Sequence, residues 1–123
     1  MKNLIIDTAN EKIFFSIITE SQSYTTTHTN SSKNFDKFII LLLDFLKKRK
    51  TKLKEINNIF VNQGPGKFSG IRIAISVVKA ISITNNIAIY GFSSKDIEKK
   101  EYKKIIELFN KGKLIKDLIK PLY

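Results

Sequence analysis

The sequence predicts an α/β fold, a five-stranded mixed sheet in the order β-β-β-α-β-α-β followed by a short helical tail. Three patterns carry this expectation. Short β-branched and aromatic runs near the N-terminus are separated by polar turns, which reads as an antiparallel meander. Two apolar stretches, Phe35 to Lys48 and Ile71 to Ile83, repeat with the helical period. Between them Ile59-Phe60-Val61 breaks at a glycine-rich hinge, and Ile87 to Tyr90 follows the second helix. Strand, helix and strand in that order form the crossover of a parallel pair.

Asn3 to Thr8 reads as a buried strand ending on an acidic residue, and Ala9-Asn10-Glu11 as the turn after it. Lys12 to Thr19 is a second strand, and Ser23 to Thr27 a third, rich in threonine. Asn30 to Asn34 is a polar linker rich in helix N-caps, with Asp36 in the first turn that follows. Phe35, Phe38, Ile39, Leu42, Phe45 and Leu46 then form the stripe that packs on a sheet. Ile40, Leu41 and Leu43 lie off that stripe, so the helix needs cover on a second face. In the next helix Arg72, Ser76 and Lys79 form one narrow polar line, and nearly everything else is apolar. Two such helices predict a contact with another protein; the competing reading is burial by the C-terminal tail. After Ile87 to Phe92, Ser93-Ser94 cap a charged helical segment with a stripe of Tyr102, Ile105, Ile106 and Phe109. Gly112 is its expected stop, and Lys113 to Lys120 is expected to form a last helical turn before Pro121-Leu122-Tyr123.

Composition narrows the function. A chain of 123 residues makes one domain, able to bury roughly two-thirds of its unfolded surface. It has no cysteine, hence no disulfide and no thiolate metal site. The formal charge of +11 comes almost wholly from lysine, since Arg49 and Arg72 are the only arginines. A generic lysine-rich surface is therefore expected ahead of a dedicated RNA groove. Lys47-Lys48-Arg49-Lys50 and Lys99-Lys100 read as solvated helix ends, the first favourable at a C-terminal dipole. The chain reads as having no secretory leader and no apolar run of membrane-spanning length, so a cytoplasmic location without membrane is expected.

The element order matches the ribonuclease-H-like fold and the half-domain of the actin-like ATPases. Both use the end of the first strand, here Asp7. A two-metal nuclease needs further carboxylates there, but the neighbouring strand ends on the neutral Asn62-Gln63, and neither Asp36 nor Asp44 completes a cluster. An ATPase needs a second phosphate loop and an adenosine pocket, for which the chain is too short. Asp7 is expected to cap a turn. His28 stands alone and makes no zinc site.

The hinge runs Gln63-Gly64-Pro65-Gly66-Lys67-Phe68-Ser69-Gly70-Ile71-Arg72. Glycines at a helix start can expose amides to an anion. The spacing fits neither a P-loop, because Ile71-Arg72 stands where Lys-Ser should be, nor a dinucleotide fingerprint, because Gly70 comes one position late. The pattern Gly64-Pro65-Gly66-x-Phe68-Ser69-Gly70-Ile71-Arg72-Ile73 resembles the G-P-G-x-F-T-G-[LI]-R-[IV] signature of the TsaB (YeaZ) family. Ile6-Asp7-Thr8-Ala9 resembles the strand end that opens that family, and Pro121-Leu122-Tyr123 the P-x-Y of its tail. Lys67, Ser69 and Ala74 depart from its usual small residue, threonine and glycine, and the family's H-S-E-x-L-L-P helix start is not present.

The resemblance covers residues 1 to about 94. It implies a TsaB-like N-terminal domain over residues 1–94, with residues 95–123 a short helical remnant in place of the family's second domain. It also implies a non-catalytic scaffold and activator in the synthesis of N6-threonylcarbamoyladenosine at position 37 of tRNAs decoding ANN codons. On this reading the chain binds a TsaD-like catalytic subunit and meets a TsaE-like ATPase through the complex. It needs no metal or cofactor, touches tRNA indirectly, and pairs with itself as a dimer when alone. Asp7, Thr8, Gly64, Pro65, Gly66, Phe68, Ser69, Gly70 and Arg72 are then motif turn residues. Phe38, Ile39, Leu42, Leu43, Ile71, Ile75, Val78 and Lys79 are the expected interface, their division between core and contact left open by periodicity. Two alternatives stand beside it: a small anion- or nucleotide-binding enzyme using Asp7, Lys67 and Ser69 at the Gly64–Gly70 turn, and a lysine-driven RNA-binding module.

Overall fold

The computed structural model describes residues 1–117 and 119–122, with the backbone alone at residues 98–100. Six strands form one sheet: β1 (Asn3–Asp7), β2 (Lys12–Ile18), β3 (Ser23–Thr29), β4 (Asn58–Asn62), β5 (Ala88–Phe92) and β6 (Ile115–Lys116). Their order is β3-β2-β1-β4-β5-β6. The meander β1-β2-β3 is antiparallel, β1, β4 and β5 are parallel, and β6 returns antiparallel to β5. The four helices are α1 (Ser32–Asp36), α2 (Phe38–Lys48), α3 (Phe68–Asn85) and α4 (Lys103–Asn110).

Period-two alternation sends the strand side chains to two cores. Leu4, Ile6, Phe15, Ile17, Ile59 and Val61 face α2 and α3, meeting Leu42, Phe45, Ala74 and Val78. Ile5, Phe60 and Phe92 face the other way, toward Ile97 and Ile105, with Phe109 edge-on to Phe60. All five residues of β1 and of β4 are buried, because both faces of these central strands are covered. β3, at the edge, alternates between exposed and half-buried.

Three expectations need correction. The sheet has six strands rather than five: the expected helical turn over Lys113 to Lys120 is instead β6, with Tyr90 opposite Lys116 and Gly91 opposite Ile115. Without it the edge of β5 would stand bare, and the Asp117 amide extends the pairing to the Ile89 carbonyl at 3.0 Å. Leu118, within that expected turn, lies outside the described residues, as do Tyr123 and the side chains of the Lys99-Lys100 patch. The helix expected from Phe35 to Lys48 is broken at Lys37, whose φ and ψ are −119° and 28°. The break lets Phe35 pack against Gly70 while Phe38 meets Phe15 edge-on. Finally, α3 runs longer than expected at both ends, and its 18 residues with mean hydropathy 1.2 would suffice to cross a membrane. Its line Ile71, Ala74, Ile75 and Val78 is instead buried against the sheet.

Candidate functional site

Parallel strands β1, β4 and β5 bring their C-terminal ends together, the place where open α/β sheets usually hold ligands. Asp7, Asn62 and Ser94 meet there. Asp7 is 1% exposed, and one carboxyl oxygen accepts from the Ala9 amide and from Asn62 Nδ2, both at 3.0 Å. The other accepts from the Tyr102 hydroxyl at 2.7 Å. Asn62 also donates to Ser94 Oγ at 3.1 Å and accepts from the Gly64 amide at 2.8 Å, and Ser94 Oγ donates to the Pro65 carbonyl at 2.8 Å. The Tyr102 ring is stacked on Phe14 with centroids 4.1 Å apart. Burial, then the adjacent Asp7 charge and the hydrogen bond to it, hold the Tyr102 hydroxyl far above the ordinary tyrosine range. Beside this network Thr8 Oγ1 is the one buried side-chain polar atom among the described residues without a partner.

The glycine hinge is filled by the chain itself. A Cβ on Gly66 would lie 2.3 Å from the Ala9 carbonyl oxygen, and one on Gly70 2.7 Å from the Phe35 ring and 2.9 Å from the Thr8 carbonyl. A Cβ on Gly64, at φ +105°, would lie 2.6 Å from the Leu122 carbonyl oxygen, and the bond from Gly64 to Pro65 is cis. The Lys67 amide donates to the Ala9 carbonyl at 2.8 Å, so this amide and that of Gly64 are already used. The C-terminal segment closes the same corner: Leu122 N donates to the Gln63 carbonyl at 2.7 Å, and Gln63 Nε2 to the Lys120 carbonyl at 3.0 Å. These glycines allow close approach of backbone to backbone. Arg72 lies over the Phe68 ring at 5.2 Å.

The residues of the anion-site alternative do not converge. Asp7 lines a cavity of about 890 Å3 between α4 and β2–β3, whereas Lys67 and Ser69 line a separate one of about 440 Å3 with Phe35 and Ile73. Lys67 pairs with Glu11 at 3.3 Å, both exposed. Among the described residues no three His, Asp or Glu side chains are grouped as a metal site.

The expected interface divides sharply. Phe38, Leu42, Ile71, Ile75 and Val78 are buried within the chain itself and are core residues here. Ile39 and Leu43 are 52% and 43% exposed, Ile40 joins them at 59%, and Lys79 is exposed on α3 with Ile83 four residues on. Within α2 Phe38, Leu42, Phe45 and Leu46 form the buried line, and Ile39, about 100° around the helix from Phe38, lies on its outer flank. Asn62, Ser94 and Tyr102 were not singled out as site residues. Asn62 was visible only as a neutral strand end, and Tyr102 only as one member of an apolar stripe.

Comparison with known proteins places these features. Residues 17–97 match the family model described as TsaD, tRNA N6-adenosine threonylcarbamoyltransferase. The tRNA threonylcarbamoyladenosine biosynthesis protein TsaB of Buchnera aphidicola subsp. Schizaphis graminum is 29% identical over 94 residues, 76% of this chain and 45% of that one. Its counterpart in Buchnera aphidicola subsp. Baizongia pistaciae is 31% identical over 84 residues, 68% of this chain and 38% of that one. The chain thus spans less than half the length of these curated relatives. Among solved structures, YeaZ from Pseudomonas aeruginosa superposes with a TM-score of 0.73 at 21% identity, covering 90% of this chain and 50% of that one. RuvC of Thermus thermophilus superposes at 0.55 with 9% identity, over 80% of this chain and 68% of that one. At such identities the likeness is one of fold, the ribonuclease-H-like and actin-like arrangement expected from the element order.

Proposed function

Since the chain belongs to the TsaB (YeaZ) family of threonylcarbamoyladenosine biosynthesis proteins, we propose that it is a non-catalytic scaffold and activator that binds a TsaD-like catalytic subunit. The observation that carries this reading is the outer face of α2. Ile39, Ile40 and Leu43 project from a helix whose opposite side is already in the core. Removing such side chains from water gives roughly 1.5–3 kcal/mol each when fully covered, and adjacent exposed aliphatics on one helix suit a helix–helix contact. Lys79 and Ile83 extend the contact onto α3. The non-catalytic part of the reading is supported by the filled glycine hinge and by Asp7, which three donors already engage.

In this proposal the TsaE-like ATPase meets the chain through the complex, and tRNA modification is the activity of the assembly. Self-association through the same α2 face competes with the catalytic partner. Residues 1–94 are the TsaB-like unit, and residues 95–123 are a short remnant from which Ile97, Ile105 and Phe109 cover the second sheet face, β6 joins the sheet edge and Ile119 packs in the first core.

Co-purification with the TsaD-like protein of the same cell tests the proposal. The wild-type chain is expected to form a stable complex, and Ile39→Asp/Leu43→Asp to weaken it at least roughly tenfold while circular dichroism stays native, since each lost aliphatic contact is worth about 1 kcal/mol or more. Ile75→Asp, at a position 4% exposed, is expected to unfold the chain and serves as the contrast. Absence of any complex at micromolar concentration would overturn the proposal.

A further inference from the structure

Exposed charge is concentrated at one corner of the fold. Lys47 and Lys48 close α2, Arg49 is its C-cap, Lys50 follows, and Lys52 and Lys54 flank and enter a 3-10 turn at Leu53–Glu55. All six side chains are exposed, and among the described residues none of them is in an ion pair. The carboxylate nearest in sequence, Glu55, is shared between Lys2 and the turn itself. Lys2 Nζ lies 2.9 Å from it, and that bond, followed by the one from the Lys52 amide, holds Glu55 below the usual carboxylate range. Arg49 is fixed over the Tyr24 ring at 4.6 Å.

Among the described residues three other than glycine have positive φ, Lys50, Asn86 and Asp117, and Lys50 is the one that is neither Asn nor Asp, the types that tolerate it. The Thr51 amide bonds the Leu46 carbonyl at 2.9 Å and the Lys50 amide that of Lys47 at 3.0 Å, a helix stop that needs a left-handed residue between them. Lys50 supplies it at φ +51°. α4 ends in the same way, with bonds from Gly112 to Phe109 and from Lys113 to Leu108, but there the left-handed residue is glycine, at φ +68°. Glycine is the unstrained choice at such a corner. A lysine held there against backbone preference projects its charge from the turn, and strain of this kind marks positions whose side chain is used.

We propose that residues 47–54 form a contact surface for the phosphate backbone of RNA, with tRNA the RNA concerned; only that last identification rests on the proposed function. Lysines act on phosphates as point charges and a fixed arginine as a planar fork, which gives affinity without base readout. The surface lies at the opposite end of β4 from the glycine hinge and one helical turn beyond Leu43, so RNA and a protein partner can lie side by side on α2.

Anisotropy of a labelled, unmodified tRNA transcript with the full chain, between about 50 and 200 mM salt, tests this. Two variants each remove three charges: Lys47→Gln/Lys48→Gln/Lys50→Gly at the surface, and Lys103→Gln/Lys104→Gln/Lys111→Gln on α4. The first is expected to lower affinity roughly tenfold or more and to flatten the salt dependence by about two to three units of slope, the second to change both far less. Lys50→Gly alone is expected to raise the urea midpoint while lowering tRNA affinity, which separates lost charge from lost fold. Co-purification with the TsaD-like protein is expected to survive the first triple, so failure of this surface and failure of the partner reading remain distinct. Equal losses from the two triples, binding insensitive to salt, or equally tight binding to phosphatidylglycerol vesicles would each overturn the proposal.

Discussion

Gly66 illustrates what single residues decide. Its missing side chain is where the Ala9 carbonyl sits, and backbone atoms cannot swing aside as a flexible side chain would. Gly66→Ala is therefore expected to destabilise the fold by about 2–3 kcal/mol, read as a lower urea midpoint at unchanged slope. Thr8→Val should do the opposite. The shape is kept and an unpartnered hydroxyl is removed, so stability is expected to hold or to rise by up to about 1 kcal/mol. Tyr102→Phe removes a donor from buried Asp7, at an expected cost of roughly 1–3 kcal/mol near neutral pH. Because the folded Tyr102 hydroxyl holds its proton longer than an unfolded one, the stability it contributes is complete below pH about 10 and is lost as pH rises above that. Urea midpoints from pH 8 upward should consequently fall less steeply in Tyr102→Phe than in the wild type. Asp7 was legible as a strand-end carboxylate from Ile6-Asp7-Thr8-Ala9 alone. Its partner Tyr102 was not, because a bond between residues 95 positions apart leaves no local pattern.

At the level of elements, periodicity located both large helices but could not orient α2. A stripe read from Phe35 onward assumes an unbroken helix, whereas the chain breaks at Lys37, and Ile39, at the margin of the expected core line, lies at the surface. The surplus of apolar residues on α2 was nevertheless visible, and Ile40 and Leu43, read as lying off the stripe, are indeed exposed. The contrast between Ile39→Asp/Leu43→Asp and Ile75→Asp belongs to this scale, since it asks whether one helix has an inner and an outer identity. Strand β6 escaped the sequence for a different reason. Two residues paired to a neighbour already present need almost no propensity of their own, and the pairing follows from the open edge of β5. The stop of α4 at Gly112 could be read because glycine announces a left-handed cap; α2 ends at Lys48 as expected, although its left-handed residue is Lys50 and not a glycine.

For the molecule as a whole, the sheet carries two cores of unequal reach. α2 and α3 span one face, while the short α4 covers the half around Phe60 and leaves the Ser16, Thr25 and Thr27 side open as a hydroxyl-lined groove. Net charge spoke of a basic protein; the run Lys47-Lys48-Arg49-Lys50 was visible in the sequence, and the structure sets Lys52 and Lys54 beside it at the turn after α2. That location is why the tRNA measurement compares two lysine triples rather than wild type with a generally neutralised chain. The corner where Leu122 and Lys120 meet Gln63 has a further consequence, in time rather than in space. Its hydrogen bonds join residues 57 or more positions apart. A chain made from its N-terminus at about 5–20 residues per second presents Gln63 roughly 3–11 s before Lys120 exists. During that interval the glycine hinge has its approach to Ala9 but not its clasp, so a nascent chain on the ribosome carries this corner unfinished until Lys120 and Leu122 emerge.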